Sequence, residues 1–593
     1  MNQARTNGGL SALLRNWWFP PLLIAAIYLA CMLLTDPRGE FPLDDDWAYT
    51  RSAFRLASGE GLRIDEWAAP SLVGQALYGG LLARCFGPHF LVLRLSTLAL
   101  SCGIALLLWF TLLRLGIPSS VVWAAVLSWI FNPIQFWLSF TFMTEVPFLF
   151  FVSLGTFLFL RSTSTGNRRV LVACAAAFGY AFLIRQTAIL FIAVVLILLA
   201  VGENRTKLRD RIVRATVFAL TAGSFVAAYQ VWAIRGGGET PAVQRKFELL
   251  RHITPAQLNG NLFGILFYLS FMLIPLWICL LPRVYQLARE SGVKRSVVVL
   301  GAWGAIAAYG LWWFDAHCAR FPYLPAKAFH PQMPFLLNVL YDTGLGPVTL
   351  DPTYYGPPAT PVHPGLWFAV TILTAIGVVI LGAILTLGVP AAWTRRTPPA
   401  IRDLVLFSLM SVLAVTAFEV IFSHREEGGI FDRHILTVAL PGLLLAAGLG
   451  RDTAIGGMRQ TGAAPSTARS TARPAQGFPA ALAVLAVLAW FSVSATHDYM
   501  AWNRLRWQLG NDLLGQGVDP LTVSGGFEFN AWHNYDTFRA RGNIRKVYYW
   551  WYDDLEYLIT LEPQERYSVR RRLDYYSWLH RRNMPVYLLQ RIS

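Results

Sequence analysis

The sequence is poor in charged residues, which make up only 14% of its 593 positions. Soluble domains carry about 25% charged residues, whereas 55% of this chain is hydrophobic. A chain with so little charge cannot form a single water-soluble core, because it lacks the polar surface to cover one. The composition therefore excludes a soluble globular enzyme and predicts a polytopic membrane protein.

Cysteine is also scarce, and its pattern excludes two further classes of protein. The six cysteines are scattered, at Cys31, Cys85, Cys102, Cys174, Cys279 and Cys318. No CxxC pair and no His/Cys group at zinc spacing occurs, so neither a disulfide framework nor a thiolate metal site is implied. Motifs for binding DNA or RNA are missing as well. The formal charge of +16 therefore does not indicate a nucleic-acid partner, because most Lys and Arg residues lie in short segments between apolar runs.

Long apolar runs dominate the rest of the sequence. About 20 apolar residues cross a bilayer as a helix, and thirteen runs are candidates. They are 19–35, 90–113, 119–138, 143–160, 170–185, 187–202, 214–234, 261–281, 296–314, 365–388, 402–422, 433–450 and 478–496. The sequence thus predicts an all-α membrane protein with about 13 transmembrane helices.

Basic residues alternate along the connections between these runs. If the N-terminus is cytoplasmic, every even-numbered connection is basic, including 283–295 and 451–473, whereas acids outnumber bases in 36–89. Because positively charged loops stay in the cytoplasm, we expect a multi-pass protein of the cell inner membrane. The first loop 36–89, the loop 315–364 and the tail 497–593 are then extracytoplasmic.

The low-complexity stretch 451–477 divides the chain. Its composition predicts a disordered cytoplasmic linker between a transmembrane catalytic module, residues 1–450, and the last transmembrane helix, 478–496. The tail 497–593 has a different character, since it contains short runs typical of strands. These runs lie at 522–527, 557–560 and 585–589. We predict a small extracytoplasmic α/β domain here.

The first outer loop begins with three consecutive carboxylates, Asp44, Asp45 and Asp46. Beside a membrane such groups repel one another, and the low dielectric disfavours their charged forms. A cation, a buried arginine or a proton taken from a substrate would compensate; a solvated acidic turn is the alternative. Residues 48–59 follow with apolar and basic positions at helical spacing, which predicts an amphipathic helix on the membrane surface.

This arrangement resembles the GT-C superfamily of polyprenyl-phosphate-sugar-dependent glycosyltransferases, which includes the protein O-mannosyltransferases and the lipid A aminoarabinose transferase. The superfamily pattern Asp-Glu-x-x-Tyr corresponds here to Asp45-Asp46-Trp47-Ala48-Tyr49. The resemblance implies a GT-C-like fold, a catalytic role for Asp45 and a substrate-binding role for Tyr49. Because Asp46 replaces Glu and Asp44 precedes the pair, the assignment of the base is ambiguous by one position. The resemblance covers roughly residues 15–200.

Other charged residues extend the candidate site. Glu145 begins the fourth predicted span, where an acid suits a helix N-terminus, and the resemblance gives it a place beside Asp45 in the catalytic cavity. Arg185 lies outside, against the positive-inside rule, so that either a donor phosphate or lipid phosphates would satisfy it. Arg433 either binds phosphate or pairs with Asp432. The adjacent His434 is a candidate substrate-binding residue or a satisfied interfacial histidine.

The resemblance implies an inverting glycosyltransferase that moves a sugar from a polyprenyl-phosphate-linked donor to a hydroxyl of a lipid, glycan or protein. A carboxylate takes the acceptor proton, and phosphate leaves without a second carboxylate to protonate it. We expect no cofactor, although three carboxylates could hold a divalent cation. The main alternative is a polytopic transporter or lipid flippase. Against it, few charges lie within the apolar runs, and the candidate polar groups cluster at one face.

Overall fold

The computed structural model describes residues 18–201, 207–237, 253–317, 332–336, 338–346, 362–393, 397–423, 430–451, 477–542 and 551–592. Apart from its two end residues, the predicted linker 451–477 lies outside this part of the chain, as does most of the loop 315–364. The described residues are mostly helical, and a small sheet lies near the C-terminus.

The described part of the first 232 residues contains ten α-helices. They are α1 (Phe19–Thr35), α2 (Asp46–Ala57), α3 (Val73–Phe86), α4 (Phe90–Arg114), α5 (Ser119–Ile130), α6 (Pro133–Leu138), α7 (Glu145–Thr165), α8 (Arg168–Ile184), α9 (Ala188–Val201) and α10 (Leu208–Trp232). The helices that follow are α11 (Pro255–Met272), α12 (Ile274–Cys279), α13 (Leu281–Ser291), α14 (Val293–His317), α15 (Pro364–Ala392), α16 (Pro399–Phe422), α17 (Leu436–Leu449), α18 (Phe478–Gly515) and α19 (Phe527–Ala540).

Eight helical segments of the described chain are long and apolar enough to cross a membrane. Seven are α4, α7, α10, α14, α15, α16 and α18, and the eighth is α17 together with the 3₁₀ turn before it, Asp432–Leu449. The apolar helices α1, α5 and α9 are shorter. All thirteen predicted segments contain helix, so the predicted all-α membrane fold is confirmed. The number of crossings stays a prediction.

Prolines divide two segments that the sequence analysis treated as single spans. The run 119–138 consists of α5 and α6, and Pro133 is the first residue of α6. The run 261–281 is divided among α11, α12 and α13, and both breaks are followed by proline in the first turn of the next helix. Proline lacks an N–H and clashes with the preceding turn, so it begins a helix more readily than it continues one.

The first loop contains the helix that was expected after the acidic tripeptide. This helix, α2, ends at Ala57, shortly before Gly59 and Gly61. Both glycines have positive φ, +89° and +87°, a conformation that glycine adopts without a Cβ penalty. The chain can therefore turn away sharply from α2 towards α3.

The helix that contains the last apolar run, 478–496, continues beyond that run. This helix is α18, which has 38 residues and ends at Gly515. Ser492 in its first half donates a hydrogen bond to the carbonyl of Phe131, and residues 504 and 506 in its second half contact the first loop and the C-terminal domain. One helix therefore joins the helical bundle to the C-terminal domain.

The C-terminal domain is a small α/β unit, as predicted. Its sheet contains β3 (Val523–Ser524), β4 (Tyr557–Thr560), β5 (Tyr567–Ser577) and β6 (Arg582–Arg591), and a separate hairpin is formed by β1 (Leu340–Tyr341) and β2 (Gly344–Leu345). The strand order is β3-β4-β6-β5, with β3 parallel to β4 and the other pairs antiparallel. The predicted strand 522–527 is wrong beyond Ser524, because Gly525 and Gly526 end it and α19 begins at Phe527.

Aromatic rings pack this domain against α2 and the residues that follow it. The ring of Trp47 lies 4.9 Å from that of Tyr535 and 5.9 Å from that of Trp551, centroid to centroid, and Trp67 lies 5.4 Å from Trp551. Arg51 of α2 also donates a hydrogen bond to a backbone carbonyl of α19. The C-terminal domain thus lies directly beside the acidic tripeptide.

Candidate active site

An arginine of α4 holds the segment that leads into the acidic tripeptide. Arg94 donates hydrogen bonds of 2.8 Å to the carbonyl oxygens of Pro37 and Gly39 and a third to that of Phe41. Its guanidinium lies 4.6 Å from the centre of the Phe41 ring. Because a loop near a membrane has few other donors for its carbonyl groups, this single side chain fixes the path of the loop.

Asp46 is buried and binds backbone only. Its two carboxylate oxygens accept hydrogen bonds from the N–H groups of Leu43, at 2.6 Å, and Phe142, at 2.9 Å. Burial raises the pKa of Asp46 to about 7, although the two N–H groups and Arg94 oppose this effect. The side chain connects the first loop to the segment before α7 and presents no free oxygen to a substrate.

The raised pKa of Asp46 predicts a pH-dependent stability. Between about pH 4 and pH 7 the folded protein retains a proton that an unfolded carboxyl, with its ordinary pKa of 3.8, has lost. The free energy of unfolding should therefore fall as the pH rises through this window, by up to about 4 kcal/mol. Thermal unfolding in detergent at several pH values should show a smaller fall in Asp46→Asn than in the wild type, because Asp44, whose pKa burial also raises, still contributes in the variant. Parallel profiles would contradict it, and Glu60→Gln, at an exposed position, is the control.

Asp45 is the most accessible of the three aspartates, with 18% of its side chain exposed against 4% for Asp44. Its Oδ1 accepts a hydrogen bond of 2.7 Å from Nε1 of Trp67, and its Oδ2 accepts one of 2.8 Å from Nη2 of Arg433. The carboxylate is therefore fixed in orientation from two sides but remains open to a ligand. This combination is what a general base requires.

Arg433 lies in the short 3₁₀ helix Asp432–Ile435 before α17. Its Nη1 binds Asp44, its Nη2 binds Asp45, and its Nε lies 3.6 Å from Oε1 of Glu145. One guanidinium thus contacts three carboxylates. Pairing with Asp432, one of the two alternatives, does not occur as an ion pair; instead, the Asp432 carboxylate accepts backbone N–H groups of residues 339 and 340.

Glu145 and Arg185 complete the group. Nη1 of Arg185 lies 2.9 Å from Oε1 of Glu145, and the Glu145 side chain is 2% exposed. Arg185 follows directly after the end of α8 in an extended conformation, which directs it back toward the start of α7. The sequence pattern predicted only phosphate partners for Arg185, and this carboxylate was not among them. In the described part of the chain, Oε2 of Glu145 is buried without a hydrogen-bond partner.

These five residues, Asp44, Asp45, Glu145, Arg185 and Arg433, form what we call the acid–arginine cluster. Three carboxylates face two guanidinium groups, so the cluster carries one formal negative charge when all are ionised. Such a charge is costly in a buried site unless it is compensated. The cluster is therefore suited to bind a proton, and Arg433, whose three nitrogens all face carboxylates, can bind an anion only if it turns from them.

The two predicted substrate-binding residues lie in different surroundings. Tyr49 is buried beside the cluster, and burial raises the pKa of its phenol well above the ordinary value. Nδ1 of His434 instead lies 3.7 Å from a carboxylate oxygen of Glu419 on α16 and 3.4 Å from Oγ of Ser423, the residue that follows this helix. The structure thus brings Tyr49 to the cluster and directs His434 to a separate polar group. Among the described residues no three His, Cys, Asp or Glu side chains are arranged to hold a metal ion.

The apolar helices and the buried charged cluster together place the protein in the class of multi-pass membrane proteins with a polar site. Residues 76–232 match the family model of the dolichyl-phosphate-mannose-protein mannosyltransferases. This region extends from α3 to the end of α10 and includes Glu145 and Arg185. In this part of the chain the match confirms the predicted resemblance to GT-C membrane glycosyltransferases.

Two solved structures are similar to the chain over most of its length. The crystal structure of ArnT from Cupriavidus metallidurans bound to undecaprenyl phosphate is 13% identical, with a TM-score of 0.40, and the similarity covers 95% of this chain and 97% of that one. The apo state of the same protein is 12% identical, with a TM-score of 0.39 and the same coverage. No curated protein sequence matches the chain significantly.

Proposed function

We propose that the protein is an inverting glycosyltransferase. It moves a sugar from a polyprenyl-phosphate-linked donor to a hydroxyl acceptor at the outer face of the membrane. The observation that carries this proposal is the acid–arginine cluster, in which an accessible carboxylate, Asp45, lies 2.8 Å from a guanidinium nitrogen of Arg433. Transfer from a sugar phosphate requires a proton acceptor close to a phosphate-binding group. Here the two groups are joined by one hydrogen bond.

In the proposed reaction Asp45 accepts the proton of the acceptor hydroxyl as its oxygen attacks C1 of the sugar. The new C1–O bond forms while the bond between C1 and the phosphate oxygen breaks, and the electron pair of that bond stays on the phosphate. Since the reaction is a single displacement, the configuration at C1 inverts. Asp46 supports the base by holding the backbone of the loop through its bonds to Leu43 and Phe142.

The leaving phosphate gains a second negative charge, which Arg433 and Arg185 would stabilise. Both guanidinium groups are paired with carboxylates in the structure. Binding of the donor phosphate would draw Arg433 away from Asp45 and thereby leave the carboxylate a stronger base. Exchange of ion-pair partners thus couples donor binding to activation of the acceptor. Glu145 positions Arg185 and offers Oε2, which has no partner among the described residues, to a substrate hydroxyl.

The experiment that tests this proposal uses the purified protein and a panel of radiolabelled sugars on polyprenyl phosphate or on nucleoside diphosphates, with membrane extract as the source of acceptor. We expect transfer from at least one polyprenyl-phosphate sugar, with inverted configuration in the product and without loss of activity in EDTA. Transfer from nucleotide sugars alone, or retention of configuration, would overturn the proposal. Lack of transfer from every lipid-linked sugar would also count against it.

A further inference from the structure

A second buried ion pair lies on the other side of Asp44, within the C-terminal half of the chain. Glu528, in the first turn of α19, binds Nη2 of Arg506 of α18 at 2.8 Å, and both side chains are completely buried. Asn503 accepts a further hydrogen bond from the same nitrogen, at 2.6 Å. The Arg506 guanidinium thus fixes the orientation of the Glu528 carboxylate.

The other carboxylate oxygen of Glu528 binds a residue of the first loop, outside the C-terminal domain. Oε1 accepts a hydrogen bond of 3.0 Å from the backbone N–H of Asp44 and one of 3.3 Å from the hydroxyl of Tyr499. Asp44 has a φ of +57°, a left-handed conformation that aspartate tolerates but that the surrounding structure must stabilise. A carboxylate that accepts a backbone N–H forms a strong, charge-assisted bond.

The side chain of the same residue belongs to the acid–arginine cluster. Asp44 extends its carboxylate to Nη1 of Arg433, whose Nη2 holds Asp45. A short chain of contacts therefore leads from Glu528 through the Asp44 backbone and Arg433 to the proposed base.

We infer that Glu528 is a positioning residue for the transfer reaction and that the C-terminal domain thereby forms part of the active site. The inference rests on the proposed function. Glu528 acts by holding Asp44 in its left-handed conformation, so that Arg433 is aligned with both Asp44 and Asp45. A small misplacement of an active-site group lowers the rate far more than it lowers the affinity for substrate.

Other contacts keep the C-terminal domain in place without this bond. Arg51 of α2 pairs with Asp536 of α19 at 3.3 Å, Arg539 pairs with Glu66, and the aromatic rings around Trp47 pack between the two parts. Loss of the bond from Asp44 to Glu528 should therefore leave the domain docked. A change in rate can then be separated from a loss of structure.

Two double variants test the inference because both remove the buried charge pair and keep the side-chain size. Glu528→Gln with Arg506→Met retains an amide oxygen that can accept the Asp44 N–H, whereas Glu528→Leu with Arg506→Met does not. Replacing a buried ion pair by neutral groups of similar volume is often tolerated. We expect similar thermal stability in the two, but a kcat roughly tenfold lower in the leucine variant, with KM for the donor within about twofold. Asp498→Asn is the structural control. It removes the charge of a buried carboxylate that is also on α18 and that accepts hydrogen bonds from residues 577–579.

Equal kcat values in two folded double variants would overturn the inference, and so would a loss confined to KM. Amide hydrogen exchange of residues 41–47 supplies a second readout that does not depend on catalysis. The leucine variant should exchange faster there than the glutamine variant, and equal exchange would also overturn the inference. If the wild type transfers no sugar but the exchange rates differ, the proposed function fails and the structural role of Glu528 stands.

Discussion

Sugar transfer by an Asp45→Asn variant should be slower than in the wild type by roughly 10²–10⁴, the usual contribution of a general base. Asparagine has nearly the same shape and can still accept the hydrogen bond from Trp67 on one oxygen, but it cannot take a proton from the acceptor. The loss should appear in kcat, with the KM for donor little changed. Initial rates with a lipid-linked sugar, in purified protein whose thermal unfolding matches the wild type, are the measurement.

A matched control for this variant lies in the same loop. Glu60 is exposed. Among the described residues, Ser58 is the only one whose side chain forms a hydrogen bond with its carboxylate. Glu60→Gln should therefore retain full activity. If Asp45→Asn folded and kept its rate within about twofold of the wild type, Asp45 would not be the base. A large loss in Asp46→Asn with normal rates in Asp45→Asn would move the role to Asp46.

The second large effect is expected at Arg433. Replacing it by Gln should lower the transfer rate by roughly 10²–10³, the loss typical of one group that stabilises charge in a transition state. The variant should also lose about 3–5 kcal/mol of stability, because Asp44 and Glu145 would be left as buried carboxylates without their common partner. Initial rates and thermal unfolding in detergent measure the two effects separately.

A second substitution separates the two roles of Arg433. In the Arg433→Gln background, Asp44→Asn removes one of the unpaired charges and should restore part of the stability. It should not restore the rate, because no guanidinium remains at this position to meet the phosphate. Recovery of both quantities would show that Arg433 serves only to neutralise Asp44, and the proposed phosphate role would be wrong.

Hydropathy and charge alternation were sufficient to predict the general architecture. The helices, the amphipathic helix α2 and the small sheet near the C-terminus follow from apolar runs, helical spacing and strand-like segments. The strand β5 was missed because its sequence, YSVRRRLDYYS, is mostly polar and has no regular apolar alternation. The breaks at Pro133 and near Leu273 were missed because hydropathy does not register the loss of a backbone donor.

The composition of the site was predicted better than its contacts. Asp45, Glu145, Arg185 and Arg433 were all singled out, and the structure brings all four together. Which carboxylate faces which guanidinium depends on how distant segments pack, which no local pattern encodes. Asp46 illustrates the limit: its neighbours in sequence suggest a base, but its oxygens are used by backbone groups on two separate segments.

The unbroken course of α18 has a consequence for any attempt to divide this protein. At 1.5 Å per residue its 38 residues extend about 57 Å, well beyond the roughly 30 Å of hydrocarbon in a bilayer. A chain shortened at residue 496 would lose Arg504, which donates to the carbonyl of Asp36, as well as Arg506 and all of α19. The part left in the membrane would then lack the contacts by which α19 covers one side of the acidic loop. The smallest autonomous catalyst should therefore include the whole of α18 and the C-terminal domain as well as the helical bundle.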